Sequence, residues 1–337
     1  MKRRVLWVGG VMTGLVLFLG GCGMGTPGNT SIDEPPTQQK HLPQQSPSGS
    51  ISATIYARSP DGLLIPVGVT LPPNTQGVAK SALEAMVDGA APDLYAQTGF
   101  SAVLPKGTKI NGLNISNGVA TVDFSKQFNT ASNAAEEQQR LTAVVYTLTQ
   151  FPTVQQVRLQ IEGQALSALA KGTTIDTPLS RQTLGINEQI TPEAQPGNSM
   201  MVTDYFLYQG AQQTQPFLVP VSRIIPTAQD PVAAVVKELI RGPMDPRLQP
   251  VIRADAKVLQ AKLNGQTATV DLDQSALQGL DQQQRNQLAQ ALVLSLTELS
   301  QVQQVTVSQN GDTAAFSQQS MAQPMMRPHL INPPIPA

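Results

Sequence analysis

Ala120-Thr121-Val122-Asp123-Phe124 recurs as Ala268-Thr269-Val270-Asp271-Leu272, 148 positions later. Val154-Gln155-Gln156-Val157 recurs as Val302-Gln303-Gln304-Val305 at the same spacing. One offset covers both matches without a gap, and self-similarity at a fixed period marks a duplicated structural unit. Within each pentapeptide the apolar side chains alternate, so one face of a strand is expected to be buried. Asn117-Gly118 and Asn264-Gly265 stand just ahead of the two strands and read as hairpin turns, because both residue types tolerate φ > 0.

Between these anchors, Leu141, Val144, Val145, Leu148 and Phe151 recur at three and four residues, and the same offset gives Ala289, Leu292, Val293, Leu296 and Leu299. That spacing lines one face of a helix. Upstream the offset becomes 153: Ala79, Ala82, Leu83, Met86 and Val87 map onto Val232, Val235, Val236, Leu239 and Ile240. Gly89 and Gly242 follow the two stripes as C-terminal glycines, and Asp230-Pro231 reads as an N-cap with proline at the first helical position. Pro66-Val67 aligns with Pro220-Val221. Thr54-Ile55-Tyr56 and Leu63-Leu64-Ile65 flank a turn at Asp61-Gly62, and Tyr205-Phe206-Leu207-Tyr208 and Phe217-Leu218-Val219 are their counterparts. Val157–Ile161 and Val305–Val307 supply the last strands. Each copy therefore reads β-β-α-β-β-α-β, an α+β unit with two helices on one face of a mostly antiparallel sheet. The first unit is expected over 51–190 and the second over 201–312, with a linker at 191–200. Within the first, Pro178-Leu179-Ser180-Arg181 is expected to pack on its own domain.

The termini read differently. Met1-Lys2-Arg3-Arg4 precedes an apolar run from Val5 to Gly20, which matches a secretory signal and falls short of a comfortable bilayer span. Leu19-Gly20-Gly21-Cys22 resembles the bacterial lipobox, in which cleavage leaves an acylated cysteine; Cys22 is the only cysteine in the chain. Residues 1–21 are then a signal peptide, Cys22 a lipid attachment site, and 22–50, rich in Gly, Pro, Ser and Gln, a flexible tether. The 313–337 stretch has a similar composition and is expected to be a disordered tail. The anchor places the protein on the extracytoplasmic face of the cell membrane.

Lys+Arg 22 against Asp+Glu 23 gives a net charge of −1, which speaks against a nucleic-acid partner. Charged residues make up 13 %, about half the usual share of roughly 25 %. The two histidines, His41 and His329, lie outside the repeats. The repeats thus lack the usual base for a Ser or Cys nucleophile and the usual donors for zinc. No catalytic, cofactor-binding or metal-binding residue is assigned. Three constellations still have to be placed. Asp123, Asp271 and Asp273, with Glu84, Glu136 and Glu137, offer carboxylates for acid–base work, or simply turn-bonding aspartates. Tyr205, Phe206, Tyr208 and Phe217 offer a ligand platform, or strand core. Met321, Met325 and Met326 offer an apolar contact for a partner, or part of the tail.

The repeat resembles the GerMN domain family of sporulation and germination lipoproteins. The likeness lies in the helix ending Val87-Asp88-Gly89 or Ile240-Arg241-Gly242-Pro243, the strand Ala120–Asp123 or Ala268–Asp271, and the closing Val154–Val157 or Val302–Val305. It covers roughly 51–312. The Pro178–Arg181 stretch, which looks like the family's segment after the last strand, follows only the first copy in this reading. The resemblance implies a fold like the ring-building motif of secretion systems. It further implies envelope or sporulation-complex proteins as partners, self-association among them, and work at the mother-cell/forespore boundary without catalytic residues. A non-catalytic scaffold is the leading expectation. A lipoprotein that binds a small molecule or cell-wall glycan is the alternative, and a carboxylate-only wall hydrolase a third.

Overall fold

The computed structural model describes residues 51–71, 77–316 and 324–336, which belong to one compact unit. The expected signal peptide, lipid site at Cys22 and tether fall at residues 1–50, outside the described residues. The first copy runs β1 (Ile51–Arg58), β2 (Leu64–Leu71), α1 (Val78–Ala85), α2 (Pro92–Thr98), β3 (Ile110–Ser116), β4 (Val119–Phe124), α3 (Ala134–Leu148) and β5 (Gln156–Ile161). After β6 (Gln189–Ile190), the second copy runs β7 (Ser199–Tyr208), β8 (Phe217–Pro226), α4 (Pro231–Arg241), β9 (Leu248–Gln249), β10 (Val258–Asn264), β11 (Thr267–Leu272), α5 (Gln282–Leu296) and β12 (Gln304–Gln309). Two short strands close the chain, β13 (Met325–Met326) and β14 (Pro334–Pro336).

The duplicated α+β architecture is as expected. The strands of each copy divide between two small sheets. The first hairpin stands in one, and the second hairpin stands in the other with the last strand added in parallel, β4 beside β5 and β11 beside β12. Side chains of β4 and β11 alternate between half-buried and buried. The buried set is the one the period-2 pattern selects, Ala120, Val122 and Phe124 against Ala268, Val270 and Leu272. Helix ends follow from local chemistry. Asp230 accepts a hydrogen bond from the Ala233 amide ahead of α4, and Asp281 forms a reciprocal capping box with Gln284 at α5. The Asn117-Gly118 turn has φ > 0 at both positions. In the second copy the loop moves on by one residue to Gly265-Gln266, with φ > 0 at Gly265.

The expected disordered tail is corrected, because residues 324–336 are packed. Met325 pairs antiparallel with Val305 in β12, as Leu179 pairs with Val157. Pro324-Met325-Met326-Arg327 is therefore the counterpart of Pro178-Leu179-Ser180-Arg181, and the second copy keeps the segment that the sequence reading gave only to the first. A second reciprocity follows. β6, which ends the first copy, pairs in parallel with β8 of the second, and β14, which ends the second, pairs in parallel with β2 of the first. The repeats exchange their last strands. The composition of the tail misled because proline cannot donate to a ladder, yet β14 sits at the edge of its sheet, where few donors are needed. The linker expected at 191–200 is also shorter. Thr191 is buried with its hydroxyl donating to the Ile224 carbonyl, and β7 already begins at Ser199.

Candidate functional site

Two features of the surface and seam are candidates for function, and both arise from the duplication. The seam is where the copies meet. Asn187 Oδ1 accepts the Leu64 amide, while its Nδ2 donates to the carbonyls of Leu64 and Pro220. Asn332 Oδ1 accepts the Leu218 amide, while its Nδ2 donates to the carbonyls of Leu218 and Pro66. Leu218 is the counterpart of Leu64 and Pro220 of Pro66, so the two asparagines make the same set of bonds with the copies interchanged. The preceding residues, Ile186 and Ile331, are each 1 % exposed. Gly68 marks the close approach of β14, since a Cβ there would lie 2.5 Å from the Asn332 carbonyl oxygen.

Beside the asparagines the same symmetry assembles an ionic cluster. Arg181 donates to the Tyr146 carbonyl, Thr149 Oγ1 and Gln150 Oε1. Arg327 donates to the Leu294 carbonyl, Thr297 Oγ1 and Glu298 Oε1, which are the corresponding positions of the second copy. Glu298 replaces Gln150 and breaks the symmetry. Its Oε1 accepts from Arg181 at 2.7 Å, Arg327 at 2.7 Å and the Tyr205 hydroxyl at 2.8 Å. Burial alone would raise this carboxyl, but the two guanidinium groups and the tyrosine outweigh it and hold Glu298 below the ordinary carboxylate range. Arg181 lies 4.6 Å above the Tyr146 ring centroid, and Arg327 lies 5.7 Å from that of Tyr205. Charge-assisted bonds of this kind set geometry strongly. Chemically the cluster clamps one copy to the other.

The second feature is a pair of open edges. β3 and β10 each end their sheet. Each carries a bulge next to its first residue, between Ile110 and Gly112 or between Val258 and Gln260. Ile115 on β3, and Val258, Leu259 and Leu263 on β10, are exposed. An unpaired edge with apolar side chains is a template for another chain.

The carboxylates singled out in the sequence are spread apart and serve the backbone. Asp123 Oδ1 accepts the Gly163 amide and Asp271 Oδ1 the Gly311 amide, so this recurring aspartate holds the turn after the last strand, where Glu162-Gly163 and Asn310-Gly311 have φ > 0. Asp273 accepts the Lys257 amide and the Ser275 hydroxyl. Glu84 pairs with Lys80 on the surface, Glu136 with Arg140, and Glu137 receives the amides of Lys171 and Thr173. Tyr205, Phe206 and Tyr208 are buried and Phe217 is half-buried, so these aromatics are core and no platform faces solvent. Met325 is buried in β13, Met326 is exposed, and Met321 lies outside the described residues. Among the described residues no group of three His, Cys, Asp or Glu is placed to hold a metal, and no helix is long and apolar enough to cross a membrane.

Sequence reading missed a buried charged triad in the second copy. Asp204 and Arg223 are fully buried and Glu238 nearly so. Arg223 donates to Glu238 Oε2, to the carbonyls of Glu238 and Gly242 at the end of α4, and to Gln189 in β6. The corresponding residues of the first copy are Ile55, Val69 and Ala85, all apolar and buried. Both carboxylate oxygens of Asp204 lack a hydrogen-bond partner.

Fold and seam together define a class: a tandem pair of two-helix α+β domains fused into one body by reciprocal strand exchange. The chain belongs to the Germane family, described as sporulation and spore germination, whose profile matches residues 54–167 and 203–315, one repeat each. It is 30 % identical over 295 residues to the spore germination protein GerM of Bacillus subtilis, covering 85 % of this chain and 79 % of that protein. The solved tandem GerMN domains of the sporulation protein GerM from Bacillus subtilis superpose with a TM-score of 0.72 at 28 % identity, over 84 % of this chain and 99 % of theirs. The resemblance read from the repeat motifs is thereby borne out.

Proposed function

We propose that this protein is a non-catalytic, membrane-tethered scaffold in an envelope complex that serves spore formation and germination. Family membership supports the process. The open edges support the mode of action, and they are the observation that carries it. The seam uses up the exchanged strands, while β3 and β10 are left as a matched pair of unpaired edges with exposed aliphatic side chains. Strand addition there would supply backbone hydrogen bonds for affinity and side-chain contacts for specificity. Partners on this reading are proteins of the envelope complex or further copies of the chain. The lipobox supplies the tether: an acylated Cys22 on the outer face of the cell membrane would hold the repeats within reach of the complex.

Two measurements test this. Leu259→Lys with Leu263→Lys places charge on the open β10 edge away from the core, so the fold is expected to persist while site-specific crosslinks from β10 to envelope proteins in sporulating cells disappear. Crosslinks unchanged in the double variant would sink the edge mechanism. Cys22→Ala is expected to block processing and release the protein from the membrane fraction, and unaltered processing would remove the anchor.

A further inference from the structure

The two copies carry the same cleft, between the N-terminal half of the long helix and the first hairpin, but line it differently. In the first copy it is charged, with Arg58, Glu136 and Arg140 among its walls. Arg140 pairs with Glu136 at 2.7 Å, and Arg58 donates to the Ser101 hydroxyl. In the second copy the corresponding residues are Leu207, Gln284 and Leu288. Two adjoining clefts there, of about 300 and 370 Å³, share Gln215, Pro216, Gln283 and Gln287 and form one groove. Its far wall is the packed tail, Leu330 to Pro333. Among the described residues the only charged one in the lining is Asp281, whose Oδ1 is already taken by the Gln284 amide of the capping box.

We propose that this groove binds an uncharged saccharide chain. Gln283, Gln287 and Gln290 stand at i, i+4 and i+7 on α5, a row of carboxamides roughly 10 Å long at 1.5 Å per residue. Gln249 lines the groove from β9; Gln283 donates to Gln215 and Gln290 to the Ile331 carbonyl, whereas among the described residues no hydrogen bond engages the side chains of Gln249 and Gln287. A carboxamide donates and accepts at once, as a sugar hydroxyl or acetamido group does, so each pairs without leaving a lone pair or proton idle. A neutral groove also avoids the cost of stripping water from charges. Leu207 and Pro216, both half-buried, supply apolar floor for the C–H faces of the rings. The aromatic platform of the sequence reading is absent, and the amide row takes its place on a different surface. An extended peptide suits the groove less well, because the one strand edge that borders it, β9, is only two residues long, too short to template a backbone.

The test is calorimetric titration of the full-length protein with two neutral probes, the tetramer of N-acetylglucosamine and maltotetraose. Binding of either one is expected, weakened at least tenfold by Gln287→Leu and, from the opposite wall, by Gln249→Leu, with thermal unfolding of both variants unchanged. Gln139→Leu at the corresponding site of the first copy is expected to leave binding intact. No heat from either sugar at millimolar concentration overturns the proposal. So does sugar binding that survives both groove variants, or binding of a neutral extended peptide at these residues with neither sugar bound. Edge variants on β10 leave this readout untouched, so the groove and the scaffold reading stand or fall separately.

Discussion

Asp204 shows at the scale of one residue how duplication leaves chemistry behind. Its counterpart Ile55 fills an apolar site, whereas Asp204 meets the same kind of site with a carboxyl that nothing bonds. Burial pushes its pKa well above the ordinary aspartate value; nearby Arg223 lowers it and Glu238 raises it further. The folded protein therefore keeps a proton that the unfolded chain has already lost. Stability from this group is complete below the unfolded value near 3.8 and drains away as pH rises toward the folded one. Asp204→Ile is expected to raise stability at pH 7 by about 1–3 kcal/mol, the usual penalty of an unsatisfied buried polar group, and to gain less at pH 4. Chemical denaturation at both pH values measures it. Glu298 has the opposite sign. Its depressed pKa gives stability that is present above the ordinary glutamate value of 4.5 and lost as pH falls through the folded one. Glu298→Ala leaves two guanidinium groups without their carboxylate and is expected to cost about 3–5 kcal/mol. Glu298→Gln, which copies Gln150, is expected to cost less than half of that by the same measurement.

Elements were legible in the sequence wherever burial writes a period. The alternation in β4 and β11 and the stripes of α3, α4 and α5 fixed their faces, and the shared offset paired the copies. What composition hid was the exchange. Gln189-Ile190 and Pro334-Ile335-Pro336 are too short and too proline-rich to show alternation, and their partners lie in the other copy, over 30 residues away for β6 and over 260 for β14. A signal was present all the same, in Pro178–Arg181 against Pro324–Arg327 and in Ile186-Asn187 against Ile331-Asn332, but it spans four residues and two. The buried triad was invisible for another reason, since charges between apolar neighbours on β7 and β8 look like the solvent face of a strand. Gly68→Ala tests the exchange at the element where it happens. The added methyl would meet the Asn332 carbonyl and the Pro333 backbone at under 3 Å, so β14 must shift. Faster amide exchange in 330–336 and in β2, with β10–β12 unaffected, is expected. Unchanged protection of the tail would contradict the packing described.

Seen whole, the described residues from 51 on form one body rather than beads on a string. Its joint is a network of two arginines, one glutamate and two asparagines, with a strand from each copy laid in the other's sheet. Cooperative unfolding follows, because neither copy can open without stripping an edge from its neighbour. A single calorimetric transition, with equal van't Hoff and calorimetric enthalpies, is expected for wild type. Removal of residues 324–337 is expected to lower the melting temperature of the first repeat as well as the second, although the deleted residues follow the second. Two separated transitions in the intact chain would refute the coupling.

Synthesis runs from the N-terminus, yet the first repeat's sheet waits for Pro334–Pro336, made over 260 residues after its partner β2. A chain that stops or is clipped before Asn332 leaves that sheet with a bare β2 edge and an unfilled asparagine site at the Pro66 carbonyl. The segment that follows the second repeat thus completes the first, and a chain that loses it shows the defect in the repeat made earliest.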